Sequence, residues 1–130
     1  MISSEGSLNF RDSSLVIECE SDLGKYLRNL FWLASYKTKR LGAPERGNHV
    51  TIVSKSESKP FLSILNGERV EFSILLDPYT NGNAYWLPVC CSLAKTIRSS
   101  LGLPPPVIPF HFGVGYLEIG KVYGTSKYLE

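Results

Sequence analysis

Asn48-His49-Val50-Thr51-Ile52-Val53 is a short β-branched run that holds one of the chain's two histidines. Extended backbone sends successive side chains to opposite faces, so His49 and Thr51 share one face while Val50 and Ile52 take the other. An imidazole titrates near neutral pH and a hydroxyl donates to oxygen, so together they suit phosphate. The second histidine lies in a stretch of similar shape, Phe110-His111-Phe112-Gly113-Val114-Gly115-Tyr116.

Working outward from the first stretch, residues 14–20 alternate as a strand. Ser21 and Asp22 then supply an N-cap and an acidic first turn for a helix. Leu23, Leu27, Leu30, Phe31 and Ala34 form its apolar stripe, with Lys37, Lys39 and Arg40 expected in the last turn and Gly42 just beyond. After the His49 strand, residues 59–66 read as a short helix and residues 69–76 as a strand. Residues 77–83 are a turn cluster, and residues 84–90 return as a strand. Leu93, Ile97 and Leu101 mark a second helix closed by Gly102, and Pro104-Pro105-Pro106 is an extended connector to the His111 strand. Residues 1–13 and 126–130 are expected to be frayed. The order and the hairpin signals predict an α+β fold rather than a doubly wound parallel sheet. The two histidine strands, each reached through a helix and a breaker-rich loop, suggest a rough internal duplication.

A length of 130 residues fits one domain with one useful core. A formal charge of +2 admits an anionic ligand and argues against a sequence-independent DNA binder. Cys19, Cys90 and Cys91 lack metal-like spacing, and the adjacent pair points to opposite faces, which disfavours a disulfide framework. No basic-then-apolar leader opens the chain, and no apolar run reaches the roughly 20 residues that span a bilayer. The expectation is an intracellular protein, cytoplasmic or nuclear, acting as a monomer without a membrane.

His49-Val50-Thr51-Ile52 resembles the first half of the paired signature of 2H phosphoesterases: His, hydrophobic, Thr or Ser, hydrophobic. His111-Phe112-Gly113-Val114 resembles the second half, in the right order. Leu101-Gly102-Leu103-Pro104-Pro105 ahead of His111 is similar to the layout of the 2H domain of "Swiss army knife" RNA-repair-like proteins. The likeness covers roughly residues 14–125. It implies two lobes of antiparallel strands, helices outside, and one histidine strand from each lobe facing a central groove. It also implies a metal-independent phosphodiesterase that needs no cofactor and acts on RNA ends or a 2′,3′-cyclic phosphate. His49 and His111 would be the acid/base pair, which a histidine pKa of about 6.5 allows near neutrality. Thr51 would hydrogen-bond the non-bridging oxygens. Two histidines without clustered Cys, Asp or Glu make a poor zinc site.

Gly113 departs from the pattern, which puts Thr or Ser there. Losing one such donor costs about 10²–10³ in rate, whereas a glycine lets water or phosphate approach the backbone closely. Tyr116 stands in odd register with His111 and is expected in the core; a base-stacking role would need a bulge at one of the nearby glycines. Lys55 and Arg46 flank the first motif and could meet a phosphate, although a solvated surface position is the commoner fate of such cations. Two alternatives stand beside hydrolysis. One is a degenerate domain that binds a nucleotide or RNA end without cleaving it. The other is a protein-interaction module using the proline connector or an aromatic surface, which buried and distant histidines would support.

Overall fold

The computed structural model describes residues 1–45 and 47–117. The fold is α+β, a mostly antiparallel sheet with two α-helices among the described residues. The chain opens with a hairpin, β1 (Ile2–Arg11) and β2 (Ser14–Glu18). Asp12 and Ser13 turn it at φ of 51° and 63°, the two left-handed positions of a type I′ connection. The expectation of a frayed start is therefore overturned for residues 2–11, since β1 lies between β2 and β5 (Arg69–Ile74) and pairs with both. Gly6 allows this packing. A Cβ there would overlap the Glu18 carbonyl oxygen and sit 2.8 Å from Cγ2 of Ile17.

Helix α1 (Ser21–Ala34) buries Leu27 and packs Leu23, Leu30 and Phe31 on the core, with the Phe31 ring 4.8 Å from that of Tyr85. It begins after Glu20 rather than with Ser21 as cap, and Ala34 is exposed. Tyr36 and Lys37 then take left-handed φ of 58° and 60°, so the basic cluster lies beyond the last turn. Arg40 stacks its guanidinium 4.3 Å from the centre of the Trp32 ring instead. Gly42 does not cap the helix; it forms strand β3 with Leu41 (Leu41–Gly42).

The His49 strand is β4 (His49–Val53), and the stretch expected to be helical is a 3₁₀ turn, Pro60–Leu65, that buries Leu62. Strand β6 (Tyr79–Thr80) hairpins onto β7 (Ala84–Cys90). Helix α2 (Ser92–Ser100) leads through the proline connector to β8 (His111–Leu117). Its buried face is Ala94 and Arg98, and Leu93 from the expected stripe is exposed.

Where two lobes were expected, all eight strands among the described residues join one sheet. Following neighbours from β8 through β4, β2, β1, β5 and β7 returns to β8. Leu8, Leu15, Ile17, Val50, Ile52, Phe72, Ile74 and Phe112 fill the buried core.

The ring has an internal two-fold. Its halves are β1–β2–α1–β4 and β5–β7–α2–β8. Pairs Val16↔Thr51, Ile17↔Val50 and Glu18↔His49 in one half are matched by Trp86↔Gly113, Leu87↔Phe112 and Pro88↔His111 in the other. Both motif strands carry a register shift at the third residue after the histidine, Ile52 in one and Val114 in the other. Where the halves meet, Val50 faces Phe112 and Ser4 faces Phe72, so the axis runs through those two pairs.

Candidate functional site

Val50 and Phe112 are both fully buried and point into the core, so their neighbours point to the outer face. His49, Thr51, His111 and Gly113 therefore share that face at the β4–β8 seam. Their antiparallel register sets His49 across from Gly113 and Thr51 across from His111. By that register the two imidazoles are diagonal neighbours, a relation that in a regular ladder separates residues by about 7–8 Å, their Cβ atoms by somewhat less. Two rings reaching inward from that separation can address opposite oxygens of one phosphate.

Each ring is oriented the same way. Nδ1 of His111 is 2.9 Å from the Pro109 carbonyl oxygen, and Nδ1 of His49 is 3.4 Å from that of Gly47. A carbonyl oxygen only accepts, so in each contact Nδ1 carries the proton. At 3.4 Å the His49 contact is the weaker restraint.

Two depressions flank the histidines. One, of about 290 Å³, is lined by Arg11, Asp12, Ser14, Glu45, His49 and Thr51. The other, of about 430 Å³, includes Thr51, Ser54, Val107, Ile108 and His111. Thr51 borders both. Arg11 pairs with Glu18 at 2.9 Å, next to His49 on β2. The neighbouring Cys19 thiol is pushed up to about 12 by burial and then by the Glu18 charge, so it stays protonated and is no nucleophile.

Two arginines occupy equivalent places behind the site. Arg28 of α1 donates from one guanidinium NH₂ to the Val114 carbonyl at 3.1 Å. Arg98 of α2 donates to the Ile52 carbonyl at 2.9 Å. These are the carbonyls of the register-shifted residues, so each helix pins the motif strand of the opposite half. Arg98, 4 % exposed, also forms a two-pronged pair with Glu57 at 2.9 and 2.8 Å and reaches the Pro104 carbonyl. That arrangement holds the Glu57 carboxyl down at about 2, chiefly through the Arg98 hydrogen bonds.

Of the residues singled out by sequence, His49, Thr51, His111 and Gly113 converge. Lys55 does not; it is exposed on the 3₁₀ turn Lys55–Glu57 and borders neither depression. Tyr116 is corrected from core to surface at 44 % exposure, because the shift at Val114 reverses its facing. It sits on the outer face but roughly 16 Å along the strand from His111 at 3.3 Å per residue. Arg46 and residues 126–130 lie outside the described residues. Motif reading does not single out Arg28, Arg98 or Trp86. A signal for the arginines exists: Leu23-Gly24-Lys25-Tyr26-Leu27-Arg28 recurs as Leu93-Ala94-Lys95-Thr96-Ile97-Arg98.

Among the described residues no group of three or more His, Cys, Asp or Glu is placed to hold a metal ion, and no helix is long and apolar enough to cross a membrane. Comparison of the chain with protein-family models, curated proteins and solved structures gave no match.

Proposed function

We propose that the protein is a two-histidine phosphodiesterase of the 2H type, acting on RNA ends or 2′,3′-cyclic phosphates. The observation that carries the reading is the two-fold-related placement of His49 and His111 on adjacent strands, one face, with matching Nδ1–carbonyl contacts. One Nε2 takes a proton from water as the other, protonated, gives one to the leaving oxygen. Thr51, bordering both depressions, holds a non-bridging oxygen as charge shifts onto it. In this reading the two lobes of the 2H pattern correspond to the two ββαβ halves, joined here into one ring.

The test is turnover of a 2′,3′-cyclic nucleotide in EDTA by the native chain, His49→Ala and His111→Ala. Each alanine variant is expected to lose at least about 10² in kcat, the contribution of one acid or base. Equal rates in all three would sink the assignment.

A second reading, binding without turnover, draws on the open position at Gly113, where no hydroxyl completes the second half. It predicts nucleotide binding that His49→Ala weakens, with no cleavage by the native chain. The protein-interaction reading has less support, because the histidines are half-exposed neighbours rather than buried and distant.

A further inference from the structure

On the histidine face, one matched cross-strand pair differs between the halves at both of its positions. Val16 faces Thr51 in the first, and Trp86 faces Gly113 in the second. Gly113 has neither of the usual structural reasons to be glycine. Its φ is not in the left-handed region, and a Cβ placed on it would meet nothing within 4 Å. Gly6, by contrast, is glycine because a side chain would collide with β2. An aromatic across a strand from glycine can cover it with its ring. Here it does not, since nothing lies over the Cβ position.

The indole instead stands in a row of rings. Its ring meets His111 edge-on at 6.2 Å and 86°, and Tyr79 lies 5.9 Å away along the row. The Tyr79 hydroxyl is buried without a hydrogen-bond partner among the described residues. The result is an uncovered patch of backbone beside a half-buried, ring-braced tryptophan and next to a histidine of the pair. With no side chain of its own, Gly113 adds no hydroxyl there, and Trp86 beside it offers the flat apolar wall that a ring wants.

We infer that the space over Gly113 beside Trp86 is a subsite for a planar heteroaromatic ring, the base of a nucleotide whose phosphate sits by Thr51. The inference rests on the phosphate-handling reading of His49 and His111 and gives the ligand a direction across the two-fold. Stacking on Trp86 supplies affinity without hydrogen-bond readout, so different bases are accepted.

The experiment uses a Trp32→Phe chain, in which Trp86 is the sole tryptophan, titrated with adenosine 3′-monophosphate and with ribose 5-phosphate. Tryptophan fluorescence and calorimetry are the readouts. The adenosine monophosphate is expected to quench Trp86 and to bind about tenfold or more tighter than ribose 5-phosphate, the scale of one base–aromatic stack. Gly113→Thr, which fills the floor, is expected to erase that preference while ribose 5-phosphate still binds. Trp86→Leu is expected to do the same and keeps a bulky apolar residue in the strand. Equal affinity for the two ligands, with His49→Ala weakening both, overturns the subsite and leaves the phosphate site standing. Binding of neither overturns both. A preference that survives Gly113→Thr and Trp86→Leu, in variants whose melting matches the parent, also overturns the subsite.

Discussion

Under the proposed reading, Gly113 is the position where one side chain would shift the balance between binding and turnover. Its open surroundings accept a β-branched residue, and threonine is favoured over glycine in strands by up to about 1 kcal/mol. Gly113→Thr is therefore expected to fold with equal or greater stability. It also sets a hydroxyl where the first half has Thr51. On 2′,3′-cyclic phosphates kcat is expected to rise by up to about 10², the worth of one such donor, and KM to rise with it as the floor beside Trp86 fills. Steady-state kinetics separates the two effects. Unchanged kcat with an unchanged fold would mean that the second half needs no hydroxyl. At this scale the sequence is informative about His49, Thr51 and His111, because alternation alone puts an imidazole and hydroxyl on one face. It is silent about Trp86, whose role depends on which residue of another strand stands opposite.

Among the elements, α2 shows how a charged residue comes to be the buried centre of a helix face. Arg98 fills that position because its donors all find oxygen: Ile52, Pro104 and both oxygens of Glu57. Breaking a buried pair from one side costs about 3–5 kcal/mol, so Arg98→Ala is expected to lose that much by urea denaturation. Arg28→Ala, which gives up one hydrogen bond from a half-exposed side chain, is expected to lose about 1 kcal/mol. Glu57 adds a pH dependence with a definite sign. Its carboxyl falls from 4.5 to about 2 on folding, so its stabilisation is complete above about pH 4.5 and lost as pH drops toward 2. Glu57→Gln should flatten that part of the stability profile. An outcome in which Arg28→Ala and Arg98→Ala cost the same would show that the Glu57 pair contributes nothing. Helix periodicity located α2 and two residues that pack on the core, Ile97 and Leu101, but it favours Leu93, which is exposed, over Arg98, which full hydrogen bonding lets go inside.

For the whole molecule, closure depends on the segment that looks least like structure. The core-facing positions of β1 are Ile2, Ser4, Gly6, Leu8 and Phe10, two of them not apolar, which hides the alternation that would announce a strand. Ser4 lies on the axis opposite Phe72, and Gly6 leaves room for the Glu18 carbonyl. Gly6→Val is expected to cost several kcal/mol, because the collision is with backbone that two other strands hold in place. Thermal melting by circular dichroism reads this directly, and a variant as stable as the parent would show that β1 is dispensable to closure. Ring closure escapes sequence reading for a related reason. It depends on β7–β8 and β4–β8 pairings between residues far apart in the chain, for which local periodicity carries no information.

The axis through Val50 and Phe112 also bears on ancestry. A polypeptide of half this length, with one ββαβ unit and one histidine, could build the same ring by pairing with a second copy of itself. In such a homodimer one codon would specify both imidazoles, one the pinning arginine of both helices, and one the residue at both Thr51 and Gly113. Joining two copies in a single chain releases each position from its twin. Only then can threonine stand on one side of the axis and glycine on the other, with valine beside the first and tryptophan beside the second. The symmetric features are those a self-paired ancestor would already need. Under the proposed reading, the differences at Thr51/Gly113 and Val16/Trp86 fall on the histidine face, where a ligand with two unlike ends would lie.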